Sequence, residues 1–295
     1  MAPWLRLAIT STVPHQLYSE EFCSAYSSID TLKDGVPGII HMIGNTSKKK
    51  ILHNLSVDNE ENDAINLHQA RIQERPILII DSAWPPKPLR RVGVADGSKF
   101  HWIQNGNSVP TSFDSTIKLF SRLLGIISQT VVIFVDDFSD FSSVFELLSP
   151  WIRFSCLDIR YRPRLLLISN AFNKKGDPQL FFDRLLRYLT KLQHIIDPTK
   201  PHTKADSIEM CQKCFESIQL IPDYPGVTNL IFKHNEDMIA RRLASKWVFS
   251  ASHLQRIIKS AIIHFSLRRT ETFNIVLAFR GCDSKKSYKD HIEGL

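Results

Sequence analysis

Continuous apolar runs alternate with amphipathic stretches through the middle of this chain. Four runs bounded by polar or turn-forming residues lie at 38–43, 75–81, 130–135 and 162–169. Uninterrupted runs of this length are typical of strands that are buried on both faces of a sheet. Stretches with helical spacing lie at 49–55, 115–127, 141–154 and 177–192, and a fifth strand is predicted at 215–221. The alternation predicts an α/β fold with a doubly wound, mostly parallel sheet.

Three parts of the chain break this alternation. Residues 56–73 are rich in Asp, Glu and Asn and predict a surface excursion, and residues 89–110 hold three glycines without a period and predict an irregular insertion. Beyond residue 229 the pattern is helical, with helices predicted at 235–246 and 252–268 and an apolar continuation at 270–280. We therefore divide the chain into a leader segment (1–30), an α/β domain (31–234) and a C-terminal helical segment (235–295).

The first predicted strand leads into a polar loop with the sequence Gly44-Asn45-Thr46-Ser47-Lys48-Lys49-Lys50. A phosphate-binding loop in this position has the pattern G-x-x-x-x-G-K-[ST]. Its backbone amides wrap the phosphates, its lysine reaches the outer ones, and its hydroxyl holds Mg²⁺.

Two alignments with this pattern remain open. Counted from Gly44, Lys50 is the motif lysine, while Lys49 replaces the second glycine and Ile51 replaces the hydroxyl residue. In a loop shortened by two residues, Lys48 is the motif lysine instead. In either alignment the Mg²⁺-binding hydroxyl is displaced or lost, and Thr46 or Ser47 is the candidate substitute. The loop lysines are expected to be exposed. Both alignments predict a degenerate P-loop NTPase-like domain.

Carboxylates follow two of the predicted buried strands. Right-handed crossovers bring the carboxyl ends of parallel strands to one edge, where ligands bind in open α/β sheets. Asp81 ends one strand, and Asp136 and Asp137 end another. A GTPase-like arrangement favours Asp81 as the residue that holds Mg²⁺, whereas an ATPase-like arrangement favours Asp136, with Asp137 orienting a water. Capping of the following helix is the structural alternative for each carboxylate.

Composition limits the classes of protein that fit. At 295 residues and 43% hydrophobic content the chain can bury a sizeable core, and its apolar runs fall well short of the roughly 20 residues of a membrane helix. The net charge of +7 comes from small, dispersed Lys/Arg clusters, so nucleic-acid binding is not favoured. Five scattered cysteines fit a reducing interior better than a disulfide framework. They indicate cytosolic or nuclear residence, and we expect a cytoplasmic protein.

Two other chemistries are not supported by the motifs. Cys211 and Cys214 have metal-ligand spacing, and His202 is a third candidate ligand, but a structural zinc site needs four ligands. The sequence contains no Gly-x-Ser-x-Gly, so no serine nucleophile elbow is predicted.

The chain resembles the N-terminal NTPase-like region of fungal patatin-like phospholipase proteins, which are often labelled FabD/lysophospholipase-like. The resemblance runs from about residue 38 to residue 295. It is carried by the segments IIHMIGNTSKKKIL, PILIIDS, LFSRLLGIISQTVVIFVDDF, RPRLLLIS and FSASHLQRIIKSAIIHF, in that order. In that family a patatin lipase domain with a nucleophile elbow follows. Because this chain has no such elbow, the resemblance implies the front region without its lipase chemistry.

We expect a nucleotide-binding-like regulatory or protein-interaction module without efficient hydrolysis. The alternative is an active Mg²⁺-dependent ATPase or GTPase with a non-standard loop. The expected ligand is Mg-ATP or Mg-GTP, if any, and the expected partner is another protein or a second copy of the chain. No lipid-ester hydrolysis is expected from this chain.

Overall fold

The structure is a computed structural model that describes residues 5–10, 13–19, 36–55, 65–72, 75–84, 90–91, 100–104, 117, 120–154, 162–173, 177–245 and 254. These residues form an α/β fold with a six-stranded, mostly parallel sheet and a separate four-stranded sheet. The strands are β1 (Leu5–Thr10), β2 (Val13–Ser19), β3 (Gly38–Ile43), β4 (Asn66–Ile72), β5 (Arg75–Ser82), β6 (Arg90–Arg91), β7 (Phe100–Gln104), β8 (Thr130–Phe134), β9 (Arg164–Ser169) and β10 (Ser217–Pro222).

Among the described residues, six α-helices connect or cover these strands. They are α1 (Thr46–Asn54), α2 (Gly125–Ile127), α3 (Phe141–Phe154), α4 (Asp177–Ile196), α5 (Lys204–Cys214) and α6 (Val227–Ala244). A π-helical turn, Phe120–Leu124, precedes α2, and 3-10 turns follow β8 (Val135–Asp137) and β9 (Asn170–Asn173).

The strand order of the larger sheet is β10-β9-β8-β3-β5-β4. β3, β5, β8, β9 and β10 run parallel, and β4 pairs antiparallel with β5 at the edge. The chain passes from β3 to β5 on one side and then returns to β8, β9 and β10 on the other. The direction of winding therefore reverses between β3 and β8, and their carboxyl ends bound the crevice in which open α/β sheets bind ligands.

Both faces of this sheet are covered by helices. Ile39 and Ile43 of β3 belong to one core, together with apolar side chains of α3, α4 and α5. Ile40 and Met42 of the same strand belong to a second core with α1 and α6. Successive strand residues point to opposite faces, so a strand without polar interruption can supply both cores. This arrangement is compatible with the predicted doubly wound fold.

Most of the predicted elements are confirmed. The apolar runs form β3, β5, β8, β9 and β10, and α3 spans the predicted residues. α4 continues to Ile196, beyond the predicted end, and α6 begins at Val227, before the predicted start. The helix predicted at 252–268 and the continuation at 270–280 lie outside the described residues, apart from Leu254.

Two predictions of irregular structure are wrong in part. Within the expected surface excursion at 56–73, residues 66–72 form β4, because their backbone pairs with β5 from Asn66 opposite Asp81 to Ile72 opposite Arg75. Within the expected insertion at 89–110, β6 and β7 join β1 and β2 of the predicted leader in the four-stranded sheet, in the order β6-β1-β2-β7. Strand pairing between distant segments determines these elements, and local periodicity does not report it.

Candidate functional site

The candidate site lies at the carboxyl ends of β3, β5 and β8. β3 ends at Ile43, and the chain turns through Gly44 and Asn45 into α1. Gly44 has φ of +156°, which L side chains rarely adopt. Its amide donates to the carbonyl oxygen of Ser82 at 3.1 Å, which fixes the start of the loop against the end of β5.

The N-terminus of α1 binds the carboxylate of Asp137. Oδ2 of Asp137 accepts from the amide of Asn45 at 2.6 Å, and Oδ1 accepts from the amide of Ser47 at 2.9 Å. The amide of Lys48 lies 3.4 Å from Oδ2. Helix N-termini carry partial positive charge and free amides, so an anion is stabilised there. The carboxylate thus occupies the place at the N-terminus of α1 where an anion is stabilised.

Lys48 points away from this anion into the protein. Its side chain is only 2% exposed, although the loop lysines were expected to be exposed. The ammonium forms an ion pair with Oδ1 of Asp81 and donates to the carbonyl oxygen of Ser82 at 2.6 Å. Lys49 and Lys50 are exposed, as predicted. The structure therefore distinguishes Lys48, the lysine of the shortened alignment, from the two lysines that follow it.

Asp81 is a buried, charged carboxylate near the carboxyl end of β5. Its Oδ2 lies 3.4 Å from Nε2 of His68 and accepts from Nδ2 of Asn66 at 3.5 Å, both on β4. Burial raises the pKa of Asp81, but the contacts with His68 and Lys48 outweigh it and lower the pKa to about 2. Burial lowers the pKa of Lys48, and Asp81 opposes that shift.

His41 of β3 extends the buried polar group. Its Nε2 lies 2.9 Å from Oγ of Ser82, and its ring packs edge-on against Phe120 with centroids 5.0 Å apart. Burial, reinforced by Lys48, lowers the pKa of His41 to about 3. The imidazole is therefore neutral at physiological pH, and the Ser82–His41 contact is closed to solvent.

Asp136 and Asp137 are adjacent in sequence but contact different parts of the site. Asp136 accepts from the amide of Asn170 at 2.8 Å and from its Nδ2 at 2.9 Å, and it also accepts from Oγ of Ser169. These contacts tie the end of β8 to the end of β9. Asp136 is exposed, whereas Asp137 is half-buried under α1.

The three carboxylates predicted as alternatives for Mg²⁺ do not converge. Asp81 faces Lys48, Asp137 faces the loop amides, and Asp136 faces Asn170. Among the described residues, no group of three or more His, Cys, Asp or Glu side chains is placed to hold a metal ion. The ammonium of Lys48 is the cation beside Asp81, with the carbonyl oxygen of Ser82 as its second partner.

The buried Trp84 side chain packs next to the loop. Its ring stacks on Phe138 with centroids 5.5 Å apart, and its carbonyl oxygen accepts from Nδ2 of Asn45. The side chain of Asn45 is thus turned away from α1, whose N-terminal amides bind Asp137 instead.

The Cys211–Cys214 pair belongs to the core rather than to this site. Both side chains are buried, and Sγ of Cys214 lies 3.1 Å from the carbonyl oxygen of Ile152. Burial raises the pKa of Cys211 to about 12, which disfavours the thiolate that binds metals. His202, the third candidate ligand, has its Nε2 3.0 Å from the carbonyl oxygen of Asp197.

The sequence pointed to the loop and to the strand-end carboxylates, but not to how they pair. Asp137 lies about 90 positions from the loop amides that it contacts, and nothing local to either segment reports that contact. His41 gave one usable signal, since a histidine in an otherwise apolar buried strand needs a polar partner.

Comparison with known protein families finds no family model that matches the chain, and comparison with curated proteins finds no match. In the part of the chain that the structure describes, no helix combines the length and apolar character that crossing a bilayer requires.

Proposed function

We propose that this protein is a regulatory or protein-interaction module of P-loop NTPase-like type that does not depend on nucleotide hydrolysis. The observation that carries the proposal is the carboxylate of Asp137 among the amides of Asn45, Ser47 and Lys48. A phosphate would have to displace this carboxylate to reach the same amides. Because the partner comes from the chain itself, the loop needs no bound nucleotide to satisfy its polar groups.

The position of Lys48 supports the same proposal. In phosphate-binding loops the lysine reaches the outer phosphates. Here its ammonium is buried and paired with Asp81. Separating a buried ion pair costs free energy, because each charge is left in the interior without its partner. A nucleotide would therefore have to recruit this lysine against its contacts with Asp81 and Ser82, or use the exposed Lys49 and Lys50.

Exposed apolar side chains support a role in protein contacts. Ile195 and Ile196, at the end of α4, are 68% and 50% exposed. Two adjacent exposed apolar side chains indicate an interaction surface more strongly than a single one does. We propose another protein or a second copy of the chain as the partner. A cytoplasmic location, and an association with the patatin-like phospholipase family, remain part of this proposal.

Calorimetry with ATP and with GTP, each with and without Mg²⁺, tests the proposal. The wild-type protein is expected to give no saturable heat and no phosphate release above buffer. Mg²⁺-dependent binding accompanied by phosphate release would overturn the proposal in favour of the active NTPase.

Sedimentation tests the interaction role separately. If the isoleucine pair mediates self-association, the wild-type protein sediments as an oligomer and the double variant Ile195→Ser, Ile196→Ser sediments as a monomer. Monomeric wild type at high concentration would exclude a second copy as the partner.

A further inference from the structure

The outward face of α4 carries a row of cations between two exposed apolar side chains. Leu180, near the start of the helix, is 49% exposed, and Ile195 is exposed near its end. Exposed cations occupy positions 184, 187 and 191 between them. Intervals of three and four residues place side chains on one face of a helix. We call these five residues the outer stripe: Leu180, Arg184, Arg187, Lys191 and Ile195.

The cations of the outer stripe have no direct carboxylate partner. In the part of the chain that the structure describes, no ion pair joins any of them to a carboxylate. Two nearby carboxylates are paired elsewhere, Asp183 with Lys204 and Asp197 with Lys200. The hydrogen bond from Lys204 is the main cause that lowers the pKa of Asp183, and Arg187 adds a smaller electrostatic contribution. The outer stripe therefore presents positive charge to solvent.

The inward face of α4 is occupied by the core of the protein. Phe181, Leu185 and Leu189 are buried there with apolar side chains of α3 and α5. A helix that lies on a bilayer buries a continuous apolar face in the region between headgroups and acyl chains. Because the core already covers the apolar face of α4, the outer stripe fits a protein surface better than a membrane.

The charge of the outer stripe selects among protein partners. Two copies that met through this stripe would place cations against cations, and like charges across an interface disfavour binding. Two of the three cations are arginines, whose planar guanidinium forms paired hydrogen bonds with carboxylates. An acidic partner would therefore pair with the middle of the stripe, and apolar residues of that partner would cover Leu180 and Ile195.

We propose that the outer stripe binds an acidic helical segment of another protein, with carboxylates facing the cations and an apolar residue near each end. This inference rests on the proposed function, and it selects another protein over a second copy as the partner. A helix rises 1.5 Å per residue, so Leu180 and Ile195 lie about 22 Å apart along α4. A partner helix of about four turns spans that distance. Helical spacing of the stripe residues suits the packing of one helix against another.

Titration with a synthetic peptide tests the proposal. The probe is a helical peptide of about 20 residues with glutamates at intervals of three and four residues and a leucine near each end. The matched control peptide has glutamine in place of every glutamate. At low salt, the wild-type protein is expected to bind the glutamate peptide at least about 10-fold more tightly than the glutamine peptide. The preference should shrink as salt is added, because exposed charges are screened.

Charge reversal locates the binding surface. Arg187→Glu, at the centre of the outer stripe, should weaken binding of the glutamate peptide about 10-fold. Lys233→Glu makes the same change in net charge at an exposed position of α6, which packs on the opposite face of the sheet. It should change the affinity by less than about 2-fold. Circular dichroism establishes that both variants are folded, and Arg187→Gln replaces Arg187→Glu if the latter does not fold.

Four results would overturn the proposal. The first is a folded wild-type protein that does not bind the glutamate peptide, and the second is an equal loss of affinity in Arg187→Glu and Lys233→Glu, which would indicate net charge alone. The third is binding to phosphatidylserine vesicles in place of the peptide, and the fourth is a wild-type oligomer that Arg187→Glu dissociates. Phosphate release from Mg-ATP or Mg-GTP would overturn the proposed function instead and would leave the peptide result unchanged, so the two failures are distinguishable.

Discussion

Among the described residues, the charged groups at the carboxyl end of the central sheet are paired, whereas a buried polar side chain at its amino end is not. At the carboxyl end, Lys48 is paired with Asp81, and Asp137 is bonded to the amides of α1. At the amino end, under α6, the fully buried side chain of Asn235 has no hydrogen-bond partner for its nitrogen or its oxygen among the described residues. The hydroxyl of Thr130 at the start of β8 likewise has none within the described part of the chain.

The difference reflects what brings the groups together. At the carboxyl end, three chain segments converge on a loop whose polar groups must be satisfied, so the charges neutralise one another. At the amino end, α6 packs on the sheet mainly through apolar side chains such as Ile231 and Ile239. Asn235 lies on the same helix and is buried in the same interface. A polar side chain that is buried without a hydrogen-bond partner lowers the stability of the fold. A polar side chain that is buried with a partner recovers that free energy.

The largest expected effect comes from breaking the ion pair. Asp81→Leu leaves the buried ammonium of Lys48 with only the carbonyl oxygen of Ser82, and we expect a loss of about 3–5 kcal/mol in the free energy of unfolding. Urea denaturation measures it. The double variant Lys48→Met, Asp81→Leu should recover much of this loss, because it removes both charges. A double variant as unstable as the sum of the single ones would show that the pair is not coupled.

Lowering the pH should reduce the free energy of unfolding because of His41, which lies in the buried polar group at the carboxyl ends of the strands. Its pKa is about 3 in the folded protein and 6.5 for a histidine in the unfolded chain, so below pH 6.5 the unfolded chain binds a proton that the folded protein excludes. Stability is therefore lost as pH falls from about 6.5 towards 3, by about 2 kcal/mol at pH 5 relative to pH 7. Asp81, whose pKa is lowered to about 2, adds a further loss only below about pH 4.

Urea denaturation at pH 7 and pH 5 measures this dependence. His41→Gln should reduce the difference between the two values, whereas His53→Gln, at an exposed position of α1, should leave it unchanged. Equal pH dependence in wild type and His41→Gln would contradict the assignment of the effect to His41.

Removing the carboxylate from the loop should have a moderate effect. Asp137→Ala leaves the amides of Asn45 and Ser47 without their acceptor, and we expect a loss of about 1–2 kcal/mol in stability. Thermal unfolding measures the change. Restoration by millimolar pyrophosphate would link the stability of the loop to the anion, and a melting temperature equal to that of wild type would exclude capping by Asp137.

The smallest expected effect is at the amino end, and it has the opposite sign. Asn235→Leu replaces an unpaired buried amide with an apolar side chain of similar size, and we expect a gain of about 1 kcal/mol. Because Nδ2 of Asn235 lies 2.3 Å from where a Cβ of residue 38 would be, Gly38→Ala should destabilise the same interface. A destabilised Asn235→Leu protein would show that the amide is satisfied in solution.

The fold follows largely from local pattern. The runs that form β3, β8 and β9 are dominated by apolar residues, and burial on both faces of a parallel sheet produces that pattern. The edge strand β4 was missed because its sequence, NLHQARI, is mixed and its strand conformation depends on pairing with β5. Edge strands receive half of their hydrogen-bonding partners and are less constrained in composition.

By itself, the sequence determined where polar chemistry lies along this chain. Gly44 and the lysines after β3, Asp81 at the end of β5, and the carboxylates after β8 are strand-end positions that any parallel arrangement brings to one edge. Only the tertiary structure decided which of these groups meet. Lys48 turns inward to Asp81 and Asp137 turns onto α1, because strand order sets which carboxylate lies beside the loop, and burial requires each charge to find a partner.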